Sequence, residues 1–216
     1  MRNARTGHAV AGKTVVSDGQ AEGQRGSRRR HVLDAACQLF YENGYASASM
    51  RDLASAVGVT QAAIYYHFAN KEEILFALIE DFNLRLHDVL SQAFASQADP
   101  AQGLRAAIEA HILLGRTCYR EFKLVTEDKQ QLTSELSAQM RVRERQIFDL
   151  YKEAITAIHA QQEGPSLDGA VCAFNIFAMI NFVFKWYRPD GELSLEEIAR
   201  QTVAFALAGV NAASTD

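Results

Sequence analysis

Two short helical patterns meet at a glycine between Ser49 and Lys71, in the run SMRDLASAVGVTQAAIYYHFANK, and no other stretch limits the possible folds so much. Met50, Leu53, Ala54 and Val57 recur at helical spacing, with Ser49 placed as an N-cap. Gly58 follows, the residue best suited to the left-handed backbone that stops a helix. Val59 is expected to plug the turn, and Thr60 stands where the next helix needs its cap. Ile64 and Phe68 are four apart and should face inward, while Gln61 with Tyr65, and Ala62 with Tyr66, form rows pointing away. A pair of helices joined by a tight glycine turn is the layout of a helix-turn-helix, whose second helix enters the DNA major groove.

The residue types on the outward rows suit duplex DNA. Ser49 and Thr60 bring hydroxyls to helix starts, where free amides also favour phosphate oxygens. Gln61 can donate and accept together, as an adenine edge requires. Tyr65 offers a ring to a thymine methyl and a hydroxyl to phosphate. Tyr66, His67 and Lys71 are placed to hold the sugar-phosphate backbone, and Arg51 to reach a base or a phosphate. Ala62 and Ala63 carry no polar group, so base reading rests on few side chains and DNA shape should share in specificity.

Charge is distributed to match. The whole chain of 216 residues carries a net −4, which by itself disfavours nucleic acid. Residues 1–71, however, hold nine Lys and Arg against five Asp and Glu, and the remainder 13 against 21. A basic segment on an acidic body fits a DNA-facing end and a separate regulatory part. Residues 1–26, rich in Gly, Ser, Gln and Arg without periodicity, read as a disordered arm. Arg28, with Arg25, Arg29 and Arg30, is a candidate for phosphate contact as the first helix begins near Ser27; a solvated tail is the plainer alternative. Residues 27–75 then form the DNA-binding domain and 76–216 a ligand-binding and dimerisation domain.

The rest of the chain is helical throughout, and an all-α fold of about nine helices is expected. Asn70 with Glu73 starts a long fourth helix whose stripe runs from Ile74 to Phe94, leaving the first domain for the second. Asp99-Pro100 caps the next, to about Cys118, with a shorter one to about Glu127. Thr133 opens another long helix. The segment from Leu167 to about Tyr187 is apolar on almost every face and must be covered all round; Ser194 with Glu197 caps a final helix to about Asn211. The longest apolar run, Val171 to Phe184, carries Asn175 and Asn181 and reads as a core helix, so no membrane association is expected. Cys37, Cys118 and Cys172 are odd in number and far apart, which suits reduced thiols in the cytoplasm and no zinc framework.

The run GVTQAAIYYHFANKEEIL, Gly58 to Leu75, resembles the recognition helix and linker of the TetR/AcrR family of transcriptional regulators, most specifically in its IYYHF-x-NKEE-L portion. The resemblance covers about residues 28–75 and agrees by position with the DNA-contacting assignments above. It implies a homodimer on a palindromic double-stranded operator; the helix 167–187 and the last helix are the candidate dimer face. It also implies a small-molecule effector. Tyr119, Phe122, Met140, Tyr151, Phe174, Phe177 and Met179 are candidates to line an apolar pocket, though each also suits plain core packing. Asn181, Lys185 and Arg188 form a polar stripe on a greasy helix, suited to an anionic head group or to acidic residues across a dimer. WYRPDGELSLEEIA, Trp186 to Ala199, is similar to the tail of family members that govern fatty-acid and aromatic-acid catabolism. That similarity implies an acyl-CoA or other amphipathic carboxylate, with Arg116, Arg120 and Lys123 as further phosphate partners.

The competing reading within the family is a multidrug-sensing repressor of an efflux pump. It would need carboxylates in its pocket, for which Glu109, Glu121 and Asp149 are candidates. An all-helical enzyme is the remote alternative: no G-x-S-x-G, H-E-x-x-H or phosphate loop occurs, and the six His show no metal-ligand spacing. No cofactor or metal is expected.

Overall fold

A computed structural model describes residues 17–212 apart from Pro165 and Pro189. Among the described residues there are eight α-helices and no strand: α1 Ser17–Asn43, α2 Met50–Val57, α3 Gln61–Tyr65, α4 Lys71–Ala95, α5 Pro100–Lys123, α6 Ser134–His159, α7 Gly169–Trp186 and α8 Leu195–Val210. The expected ninth helix is absent for a local reason. The separate helix to Glu127 is the end of α5, kinked at Cys118 (φ −122°, ψ 27°), followed by a π turn at Leu124–Asp128 and a 3-10 turn at Lys129–Gln131.

The start of α1 also differs from expectation. The helix begins at Ser17, so the last ten residues of the expected arm are helical, while residues 1–16 lie outside the described ones. Caps set most of the other boundaries. Gly44 and Gly58 take φ of 79° and 73° to close α1 and α2, conformations that cost a side chain dearly. Asn70 accepts from the Glu73 amide at 2.8 Å, and Asp99 caps α5 ahead of Pro100. Ser194 accepts from the Glu197 amide, but the Glu197 carboxylate turns to Arg200 and Gln201, so that box is half made.

The buried side chains fall into two clusters. The first gathers Leu33, Phe40, Leu53, Ile64, Phe68, Ile74 and Leu75 from α1 to the start of α4. The second gathers Phe82, Leu104, Ile108, Phe122, Tyr151, Ile180 and Phe184 from the other helices. Helix α4 serves both, since Ile74, Leu78 and Ile79 belong to the first and Phe82, Leu86 and Leu90 to the second. The first cluster also takes Leu124, Leu132 and Met140 from beyond α5, so this core, on the side expected to meet DNA (the DNA-side core), is closed by residues from the C-terminal half. All three cysteines are buried free thiols, and burial pushes the Cys37 thiol up to about 12. Helix α7 is long and apolar enough to cross a membrane by length and composition, yet it packs against α5, α6 and α8.

Candidate nucleic-acid interface and effector cavity

The helix-turn-helix is held by its caps and two anchors. Ser49 accepts from the Asp52 amide at 3.2 Å while the Asp52 carboxylate accepts from the Ser49 amide and hydroxyl, bonds that hold its carboxyl below the usual range. Thr60 accepts from the Ala63 amide, and Ile64 and Phe68 are buried at 0% and 3% exposure. Burial of two such side chains is worth about 1.5–3 kcal/mol each, enough to fix a helix of five residues that could not stand alone. The consequence is a solvent-facing row: Gln61, Ala62, Tyr65 and Tyr66 are exposed, the tyrosines at 51% and 67%. Arg28 and Arg51 are exposed as well, and His67 is half-buried with its ring edge-on to Tyr66.

Two expectations at this end are overturned. Lys71 does not reach outward: its ammonium donates to the carbonyls of Tyr45, Ala46 and Ala48 at 2.7, 3.3 and 2.8 Å and sits 4.3 Å over the Tyr45 ring. It closes the loop between α1 and α2 instead of offering a phosphate contact. Val59 does not plug the turn; it is 41% exposed, just after the left-handed Gly58.

In the second cluster the helices leave a cavity of about 910 Å³, bounded by α4, α5, α6, α7 and the π turn. Phe122, Phe174, Phe177, Asn181 and Lys185 line it, as the sequence suggests. The other expected lining residues do not, each for a visible reason. Met140 packs in the DNA-side core and accepts a hydrogen bond from Asn83 Nδ2 at 3.0 Å. Tyr151 is wholly buried behind the wall, bonded to His111. Tyr119 packs among Tyr41, Phe184 and Tyr187, and Met179 borders a separate groove against α8. Arg116 pairs with Glu196 on α8, and Arg188 is exposed beyond the end of α7. Arg120 and Lys123 lie over the Tyr41 ring and are not part of the wall.

Several lining residues were not among the expected ones. Phe82, Leu86, His111, Ile147 and Phe148 make the deep wall apolar, and Lys129, Arg141 and Arg145 join Lys185 at its rim. Glu144 is the sole carboxylate in the described lining, and it already holds Lys129 at 2.6 Å. Lys185 leans on Glu127 at 3.3 Å. Arg141 and Arg145, four apart on α6, make no ion pair among the described residues. That i, i+4 pair was legible in the sequence, but nothing there said which face of α6 meets a cavity.

The exposed tyrosine row on a capped, glycine-turned helix pair, backed by an all-helical body with its own cavity, defines a helix-turn-helix transcriptional regulator. Residues 32–78 match the family model of bacterial regulatory proteins of the tetR family, and residues 97–210 match the tetracyclin repressor-like C-terminal domain. The chain belongs to the TetR family of transcriptional regulators. It is 26% identical over 196 residues to the transcriptional repressor KstR2 of Mycobacterium tuberculosis, covering 87% of this chain and 95% of that one. It is 26% identical over 189 residues to the transcriptional activator FasR of Mycolicibacterium smegmatis, with 87% and 84% covered. Its fold is similar to that of AibR, solved with isovaleryl coenzyme A and operator DNA, with a TM-score of 0.76, 31% identity and 82% and 97% covered. Because these relatives regulate transcription, the enzyme alternative is set aside.

Proposed function

We propose that the protein is a cytoplasmic repressor that binds a palindromic operator as a homodimer and releases it when an acyl-CoA, or a similar amphipathic carboxylate, fills the cavity. The observation that carries this reading is the cavity's polarity: a deep aromatic and aliphatic wall ending at a rim of four cations and one already-paired carboxylate. An apolar tail would bury in the first and phosphates or a carboxylate would meet the second. The efflux-repressor alternative needs the reverse. Its candidate carboxylates Glu109, Glu121 and Asp149 are not in the described lining, and Glu121 is held by Arg85 at 3.2 Å. The solved AibR complex with isovaleryl coenzyme A supports the same class of effector.

Gln61, Tyr65 and Tyr66 would read or hold the operator, with Ser49, Arg51, Thr60, His67 and Arg28 around them. One such short helix makes few base contacts, so two copies on symmetric half-sites are needed. Exposed apolar side chains on the two expected helices support such pairing: Val171 and Trp186 on α7 and Phe205 on α8, the last at 73%. A ligand releases DNA only through its differential affinity for two arrangements of the recognition helices. The π turn, which touches both cores, would transmit that difference.

The test is an electrophoretic shift with the DNA upstream of the protein's own gene, for the wild type and for Tyr65→Ala. The wild type should bind and be released by a CoA ester. Tyr65→Ala should lose about fivefold or more in affinity, since one good base contact is worth about 1–3 kcal/mol. Binding unaffected by the substitution, or released by cationic drugs and by no CoA ester, would overturn this reading.

A further inference from the structure

The deep wall of the cavity holds a single titratable residue, His111, and it is 1% exposed. Its Nδ1 lies 3.0 Å from the Tyr151 hydroxyl, and that hydroxyl lies 3.4 Å from the Ala107 carbonyl. Only one assignment of protons uses both contacts. Tyr151 must give its proton to the carbonyl, which can only accept, so the Tyr151 oxygen accepts from Nδ1–H. Burial in apolar surroundings keeps the imidazole neutral, down to about 3. A neutral ring protonated on Nδ1 has a bare lone pair on Nε2.

Among the described residues the Tyr151 contact at Nδ1 is the one hydrogen bond His111 makes, and Nε2 has none. No fully buried polar side-chain atom among the described residues lacks a partner, which agrees with Nε2 bordering the cavity and not lying sealed in the core. His111 lines the cavity while its Nδ1 is turned to Tyr151, which does not, and this leaves Nε2 as the ring nitrogen on the cavity side, beside Phe122 and Phe177 whose ring centroids lie 5.8 Å from its own. A lone acceptor in an apolar recess penalises any ligand that cannot meet it. Tyr151 is a positioning residue here: its hydroxyl decides which nitrogen carries the proton.

We propose that His111 Nε2 is a specificity contact for a hydroxyl group borne on the apolar part of the effector, so that the sensed compound is a hydroxylated chain or ring, not the plain hydrocarbon or its oxo counterpart. This deepens the reading of the cavity as an effector site, but it depends on the tail of the ligand and not on the coenzyme A head.

Calorimetric titration of the full chain tests it with matched triplets: saturated, hydroxy and oxo forms of one acyl chain, with the hydroxyl moved along it. Each triplet is run as the CoA ester and as the free acid. At one hydroxyl position the wild type should favour the hydroxy form over both others by at least about tenfold, as sites built around a polar contact discriminate strongly. His111→Phe should erase that preference while still binding the saturated form. As a measure independent of any variant, nitrogen-15 spectra of labelled histidine should show Nδ1 protonated and Nε2 bare; Tyr151→Phe should weaken that preference for the Nδ1–H form. Equal or weaker binding of every hydroxy form, or a proton found on Nε2 in the wild type, would overturn the proposal. If only the free acids bind, the hydroxyl ratio still decides this proposal while the CoA reading falls. If neither series binds, both fall.

Discussion

Replacing Lys71 by Met separates a structural cation from a DNA-binding one. The ammonium donates to three carbonyls of the loop between α1 and α2 and lies over the Tyr45 ring, where burial lowers its proton affinity from the ordinary lysine value. A hydrogen bond from a charged donor contributes about 1.5–3 kcal/mol, and a partly exposed cation–π contact about 0.5–1 kcal/mol. Water can reach part of this half-buried site and take over some of the carbonyls, so the net loss should be about 1–3 kcal/mol. For a chain of this size each kcal/mol moves the midpoint by about 2–4 °C, which places the expected fall in Tm at about 2–12 °C. The second readout is the salt dependence of operator binding. A lysine that neutralises a phosphate steepens the slope of log K against log salt by about one per contact. The expected result is a lower Tm with an unchanged slope. An unchanged Tm with a slope shallower by about one would refute the inward placement and return Lys71 to the DNA surface.

Gly115→Ala should destabilise the regulatory part by about 1–3 kcal/mol through overpacking: the new carbon would lie 2.6 Å from Phe184 Cζ, on a ring stacked on Phe122 at 3.8 Å. Thermal denaturation with and without effector reads both the lost stability and the disturbed cavity wall. Stability should also fall with acid in the range between about 6.5 and about 3, because unfolded His111 takes up a proton there and the folded one does not. Denaturant titrations at several pH values should show that slope in the wild type and a flatter one in His111→Phe. Arg141→Ala with Arg145→Ala should weaken a CoA ester by about tenfold or more in calorimetry, in keeping with lost charge-assisted bonds, and leave operator binding without effector intact. Phe205→Glu, at a residue 73% exposed, should yield monomers in sedimentation and abolish operator binding.

The helix-turn-helix was the most legible part of the chain because its determinants are local. Caps at Ser49 and Thr60, a positive-φ glycine at position 58 and inward anchors at Ile64 and Phe68 all act within a few residues, and the structure has each of them. The inward turn of Lys71 has no local signal, because its partners, Tyr45, Ala46 and Ala48, lie more than 20 residues away in a loop without periodicity. The cavity was legible only on α7 and at Phe122. Aromatic and polar residues there had to face something, but nothing local says whether an inward tyrosine ends in the wall or behind it. Tyr151 and Met140 are as apolar in pattern as Phe148 and Ile147 on the same helix, and only packing by α4 and α5 separates them. The break after Cys118 was visible as a weak point in the helical pattern, but a kink and a π turn leave the same trace as two short helices.

That π turn is packed against both cores. Leu124 is 1% exposed in the DNA-side core, and its neighbours Val125 and Thr126 line the cavity. Three residues further, Lys129 stands at the cavity rim, and Leu132 is again in the DNA-side core. Thr133 then donates its amide to Glu72 in the first turn of α4, next to the Lys71 that clamps the α1–α2 loop. A ligand that pushes on Val125 or draws Lys129 would therefore act on a segment whose two ends, Leu124 and Leu132, are packed in the DNA-side core. A regular helix would spread such a displacement along its hydrogen-bond ladder, whereas a π turn is a local irregularity that can change its winding. Tight packing on both sides favours discrete arrangements over gradual yielding. The coupling needed to release DNA is modest, about 1–3 kcal/mol. That is the scale of one buried leucine shifted or one rim lysine re-paired, and both lie within this single segment.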